Sequence, residues 1–218
     1  MINPGDLSIP MLGHCMVESP IQRFWAAAHE MNIFVSDEDR ILLNDSLSSI
    51  LGLIPHEESG PASFELAGPH RKLFFDPASS SCAIVTCGGL CPGINDVIRG
   101  IVMQASLRYG VRTIFGIQNG YEGLIRKYEH SVLNLTPASV ENIHSVGGSV
   151  LGTSRGPRDA AQIVERLREL NIKMLFIIGG DGTLRGAKPH CRRSATPRLS
   201  HFGSWHSKDH RQRYNVHR

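Results

Sequence analysis

Met174-Leu175-Phe176-Ile177-Ile178 is an unbroken apolar run that leads directly into Gly179-Gly180-Asp181-Gly182-Thr183. Short continuous apolar runs bounded by glycine read as parallel strands buried on both faces. Cys82-Ala83-Ile84-Val85-Thr86 and Thr113-Ile114-Phe115-Gly116-Ile117 have the same form, and each leads to a glycine-containing turn. Between these runs the period lengthens. Ile94, Val97, Ile98, Ile101, Val102 and Ala105 recur at helical spacing, as do Ile163, Val164, Leu167 and Leu170 within 159–170. Residues 131–146 read as a polar loop and a short helix. Strands alternating with helices predict an α/β fold built on a layered, mostly parallel sheet with right-handed connections.

Upstream of Ser81 the pattern weakens. Asp37-Glu38-Asp39-Arg40, followed by Ile41, Leu42, Leu43, Leu47, Ile50 and Leu51, predicts one amphipathic helix with acids in its first turn. Turn signals recur between 59 and 80, and Leu73-Phe74-Phe75 reads as an edge strand on the main domain. The organisation expected is an N-terminal extension over 1–80, the α/β part over 81–187, and a tail over 188–218.

The composition, 41% hydrophobic and 20% charged, is that of an ordinary soluble globular protein. The formal charge of +3 conceals a division, because residues 188–218 carry +7 and residues 1–187 carry −4. No apolar run approaches the roughly eighteen residues that would cross a membrane. Five cysteines, an odd number, with no cleavable signal at the N-terminus, predict a reducing, cytoplasmic setting. Cys87 and Cys91 are four apart, but no His or Cys cluster completes a zinc site around them.

The candidate chemistry lies at the strand ends, where open α/β sheets place their ligands. Glycine allows the backbone to approach phosphate oxygens closely, and a helix N-terminus favours anions. Gly88-Gly89-Leu90-Cys91-Pro92-Gly93 stands between a strand and a helix, but it is neither a Walker A loop nor the dinucleotide pattern. Asp181 has the chemistry to hold a divalent cation that bridges phosphate oxygens. Arg155, among the glycines and hydroxyls of Leu151-Gly152-Thr153-Ser154-Arg155-Gly156-Pro157, reads either as an anion clamp or as a surface arginine. Tyr121, in Gln118-Asn119-Gly120-Tyr121, reads either as a base-stacking ring or as a half-buried turn aromatic.

GGDGT alone is shared with NAD kinases and lipid kinases. With TCGGLCPGIND and LGTSRGP upstream, the set resembles the 6-phosphofructokinases, in particular the long-chain plant and protist group, over about residues 62–187. The resemblance implies an enzyme that converts ATP and fructose 6-phosphate to ADP and fructose 1,6-bisphosphate, in glycolysis. It implies Mg²⁺ as cofactor, a homo-oligomer at full length, and no nucleic-acid or membrane partner. By the same resemblance Gly89, Arg155 and Gly156 contact the ATP phosphates, with Arg155 supporting the transferred γ-phosphoryl group. Gly180, Asp181, Gly182 and Thr183 form the nucleotide loop, with Asp181 as the Mg²⁺ ligand, and Tyr121 stands near the adenine. Pyrophosphate-using relatives carry an acid at the position of Gly182, so glycine there points to ATP. The alternatives are a pyrophosphate-dependent relative and a non-catalytic ATP-binding or subunit-interaction fragment.

After Gly186-Ala187 the likeness ends. The family continues to a loop of the form PKTIDND, whose first Asp is the general base, and no such string occurs here, so no catalytic base is assigned. Residues 188–218 show no helical period, and they hold five of the eleven histidines. Shifted by one base, codons compatible with Ser200–Ser204 read V-I-L-V-V and those for His206–Tyr214 read I-P-K-T-I-D-N-D-I. A strand followed by the missing loop is thus written in the neighbouring frame, and the tail reads as an out-of-frame segment that does not form native elements. A nucleic-acid-binding tail, with Phe202, Trp205 and Tyr214 between charges, would leave that hidden motif as coincidence.

Overall fold

The computed structural model describes residues 12–25, 33–36, 38–47, 63–156, 158–194 and 205–206. At its centre is strand β1 (Ser81–Thr86), in which every residue is buried. Helix α1 (Ile94–Met103) follows, then β2 (Thr113–Ile117) and β3 (Val132–Asn134). Helix α2 (Ala160–Glu169), β4 (Ile172–Ile178), helix α3 (Asp181–Ser194) and the two-residue β5 (Trp205–His206) complete the main unit. The strand order is β3-β2-β1-β4-β5. All neighbours are parallel except β2 and β3, which are antiparallel.

The two faces of β1 build two cores. Cys82 and Ile84 point toward Ile94, Ile98 and Val102 of α1. Ala83 and Val85 point the other way, toward Ile163 and Leu167 of α2 and Ala187 of α3. Each fully buried aliphatic side chain stabilises by roughly 1.5–3 kcal/mol relative to exposure, so the run of buried β1 residues defines the sheet's interior. Helix α2 begins where Asp159 Oδ1 accepts from Ala161 N at 2.8 Å. The chain leaves it through Asn171, whose φ of 51° turns it into β4. Because β2 and β4 flank β1 on opposite sides, the connections diverge at the C-terminal end of β1, the place where doubly wound sheets open a crevice.

Several expectations are corrected. Arg40–Leu42 is a strand paired with Ser63–Glu65, not part of a helix. Arg40 donates to Ser63 Oγ at 2.8 Å and to Ser63 O at 2.7 Å, so a partner distant in sequence outcompetes the local helical pattern. Ile50 and Leu51 of that expected helix lie outside the described residues. The strand near Leu73 is Lys72–Leu73, and it pairs with Val17–Glu18 in a separate ribbon rather than at the edge of the main sheet. Val132–Asn134, expected to be loop, is an antiparallel edge strand.

Helix α3 runs past Ala187 to Ser194, although the sequence there has no helical period. Pro189 lies inside it and has no N–H to offer the Arg185 carbonyl, a substitution that costs about 3 kcal/mol in an ordinary helix interior. Trp205–His206 pairs parallel with Ile177–Ile178, so two of the tail's residues do extend the sheet. Residues 195–204 and 207–218 lie outside the described residues.

Candidate functional site

Three loops meet at the C-terminal edge of the sheet. The first follows β1, the second spans residues 149–156, and the third joins β4 to α3. Their backbones are bonded to one another. Cys87 N donates to Ile178 O at 2.9 Å, which links the ends of β1 and β4. Gly88 N donates to Ser154 O at 3.0 Å, and the Thr153 hydroxyl returns a bond to Gly88 O. Thr86, at the buried end of β1, donates to Gly152 O at 2.5 Å and meets Ser149 Oγ at 2.9 Å. Asn95, buried in the first turn of α1, donates to Val146 O at 2.7 Å and accepts from Val150 N at 2.9 Å.

Two glycines make this closeness possible. A Cβ on Gly120 would stand 2.6 Å from Ser154 Oγ and 2.9 Å from Ser154 N, at a φ of 62°. A Cβ on Gly179 would stand 2.4 Å from Thr183 Oγ1, so α3 could not begin so soon after β4. The turn expected at 179–183 is accordingly shorter, and Asp181, Gly182 and Thr183 form the first turn of α3.

The residues singled out in the sequence fall as follows. Gly89, Arg155 and Gly156 are exposed, and a Cβ on Gly89 would lie 3.7 Å from Arg155 Nη2. Asp181 and Gly182 are exposed, Gly180 is half-buried and Thr183 is buried. Thr183 Oγ1 would lie 3.5 Å from a Cβ on Gly88, which brings the third loop onto the first. Tyr121 is buried in the core with Ala187, and its hydroxyl donates to Thr183 O at 3.3 Å. This is the turn-aromatic arrangement rather than an open ring face, and it ties Tyr121 to the site from beneath α3.

The arrangement favours anions. The N-termini of α1 and α3 both lie at this edge, and the first N–H groups of a helix have no intrahelical acceptor. Gly93 caps α1 without any side-chain bond. Asp181 is the one acid among residues 87–93, 149–156 and 179–183. Among the described residues no group of three or more His, Cys, Asp or Glu side chains gathers for a metal. A single exposed carboxylate suits Mg²⁺, which keeps several waters and takes its remaining ligands from substrate phosphates.

Thr86, Asn95, Asn119 and Gly120 were not legible as site residues. Only the hydroxyl at the end of a buried strand, Thr86, carried a local signal; the others acquire their roles through partners distant in sequence.

A phosphofructokinase family model matches residues 81–197, more than half of the chain. The chain belongs to the phosphofructokinase family. It is 42% identical over 186 residues to the ATP-dependent 6-phosphofructokinase of Amycolatopsis methanolica, a match that covers 84% of this chain and 39% of that one. It is 41% identical over 170 residues to the chloroplastic ATP-dependent 6-phosphofructokinase 4 of Arabidopsis thaliana, covering 78% of this chain and 30% of that one. This phosphofructokinase-family chain thus spans well under half the length of these relatives. Among solved structures, the Pichia pastoris phosphofructokinase in the T-state shares the fold, with a TM-score of 0.51 at 23% identity over 68% of this chain and 18% of that one. Among the described residues no helix is long and apolar enough to cross a membrane.

Proposed function

We propose that this chain is the nucleotide-binding part of an ATP-dependent 6-phosphofructokinase. The observation that carries the reading is the junction of three loops at one sheet edge, with Gly89, Arg155 and the head of α3 facing the same space. In the proposed reaction a fructose 6-phosphate hydroxyl oxygen attacks the γ-phosphorus of ATP. The bond from that phosphorus to the ADP oxygen breaks, and the hydroxyl proton passes to a base. Such transfer depends on positioning and on neutralising charge. The backbone amides near Gly89 and Gly180 would take phosphate oxygens, and Arg155 would stabilise the group in transit. Asp181 would hold Mg²⁺, which when bound offsets phosphate charge. Tyr121 would hold the first turn of α3 in place through Thr183.

ATP is favoured over pyrophosphate because the relatives reported above are named ATP-dependent and because the space at Gly182 is open. A Cβ there would meet nothing within 4 Å, so the larger donor has room. The base-bearing PKTIDND loop is absent from the 218 residues, and we assign it to the neighbouring reading frame after Ala187. A cytoplasmic setting and a homo-oligomer of the full-length enzyme belong to the same proposal.

Calorimetry tests the nucleotide site. The chain should bind Mg-ATP, and Asp181→Ala should weaken it roughly tenfold or more with Mg²⁺ but little without it, since a charge-assisted ligand is lost. Equal affinity in the two proteins would refute the metal role, and tighter binding of pyrophosphate than of ATP would favour the other donor. A version restored to the neighbouring frame and extended to family length should form fructose 1,6-bisphosphate. The 218-residue chain should not, since a positioned general base contributes on the order of 10²–10⁴-fold.

A further inference from the structure

The loop that carries Arg155 is fastened at both ends to the segment after β2. At its start, Asn119 N donates to Leu151 O at 2.7 Å. At its far end, Arg158 makes a direct ion pair with Glu122. The two side chains are 19% and 24% exposed, so the pair is shielded enough to hold geometry that a surface pair would lose to solvent. The Arg158 guanidinium also lies 5.7 Å from the ring centre of Tyr128.

A second chain of contacts joins the two fastenings. Asn119 Nδ2 lies 3.1 Å from His130 Nδ1, within hydrogen-bond distance, and the other ring nitrogen is Nε2. That nitrogen lies 3.9 Å from Glu122 Oε2. Tyr128 stacks on the His130 ring at 6.2 Å and 12°. Asn119, His130, Glu122, Tyr128 and Arg158 therefore form one polar frame that meets residue 151 at one end and residue 158 at the other. Arg155 is exposed between the fastenings, next to the bond from Gly88 N to Ser154 O.

We infer that Glu122 is a positioning residue for Arg155, acting through Arg158 and the far end of the loop. The inference rests on the proposed phosphate role of Arg155. The carboxylate matters because it meets Arg158 Nη2 through one oxygen with full charge, which an amide cannot supply. Removing it leaves a partly buried cation to find a new place, and the loop moves with it.

The test combines a ligand-free and a ligand-bound measurement on the 218-residue chain. Without ligand, Glu122→Gln and Arg158→Lys should each speed amide hydrogen exchange over residues 152–158 and leave β1 and β4 unchanged. Unchanged exchange in that loop would overturn the inference. With ligand, Glu122→Gln should weaken Mg-ATP roughly tenfold, a coupling typical of residues in one network. Adding it to Arg155→Met should cause no further loss. A further loss of the same size in the Arg155→Met background would show that Glu122 acts by another route and would overturn the inference. If the unaltered chain binds no Mg-ATP, the nucleotide reading itself falls, while the exchange measurement still decides whether Glu122 holds the loop.

Discussion

The strand-end loops and the N-terminal ribbons are both made of short, irregular segments, yet they are held in different ways. The loops are joined by bonds between residues far apart in sequence, such as Thr86 to Gly152 and Asn95 to Val146, with donors or acceptors that are themselves buried. The ribbons are pairs of two- or three-residue strands. Ile41 is 52% exposed and Met16 77%. The first ribbon is fastened largely by surface contacts, Phe24 lying between Arg23 and Arg108 at 4.8 and 4.6 Å and Gln22 donating to Arg71 O at 2.9 Å, beside the buried Ser19 and Ile21. A two-stranded ribbon is marginal by itself, so its position follows the body, whereas the loops take theirs from the core. Placement fine enough to meet a phosphate comes from buried polar bonds anchored on packed strands, and loop length is a poor guide to it.

The contrast is open to direct attack. The largest effect should come from Ile84→Ala in β1, where a buried side chain contacts α1; we expect a loss of about 2–5 kcal/mol in urea unfolding. Ile41→Ala in the ribbon should stay within about 0.5 kcal/mol. Equal losses would mean that the ribbon is as deeply anchored as the sheet. Gly120→Ala should cost about 1–3 kcal/mol, because it forces a Cβ into Ser154 at a left-handed φ. It should also weaken Mg-ATP, while the same change at exposed Gly100, where a Cβ would meet nothing within 4 Å, should leave binding unaltered.

Alkaline pH sharpens the comparison from the core side. Burial pushes the Cys82 thiol up to about 12 from an ordinary 9.0. The unfolded chain therefore loses this proton first as pH rises. The contribution is fully present below about pH 9 and is lost as pH climbs toward 12. Between pH 8 and pH 10 the unaltered protein should lose about 1 kcal/mol more than Cys82→Ala does, measured by urea unfolding at each pH. Identical losses would mean that the thiol titrates normally and is not sealed in the core. A smaller effect should be that of Phe24→Leu, which removes the ring lying between Arg23 and Arg108 and should cost roughly 0.5–1 kcal/mol, above only the Ile41→Ala change. Its signature would be faster hydrogen exchange confined to residues 17–25, and a change spreading into β1 would contradict the division drawn here.

The strands and helices of the body were legible because burial on both faces leaves a local mark. Ser81–Thr86, Thr113–Ile117 and Ile172–Ile178 are apolar because each packs between layers, and the helices beside them keep a single apolar stripe. The positions of Gly89 and Asp181 at strand ends were legible for the same reason, since the end of an apolar run marks the edge of the sheet. Arg155, expected at a strand end, instead sits in a loop that no strand precedes directly, and the loop is bonded to that edge through Leu151 and Ser154. Where the residues were polar or the segments short, the local pattern misled. Arg40–Leu42 looked helical until Ser63–Glu65 came alongside, and the two readings of Tyr121 were separated only by its burial against α3.

The sequence by itself thus determined the layered α/β fold and the family, since each rests on a pattern carried within a few adjacent residues. Only the tertiary structure decided how the strand-end loops are held. The partners of Thr86, Asn95, Asn119 and Glu122 lie 66, 51, 32 and 36 residues away, at Gly152, Val146, Leu151 and Arg158. A hydrogen bond between such residues exists only once the sheet has brought two strand ends together, and no local periodicity encodes it.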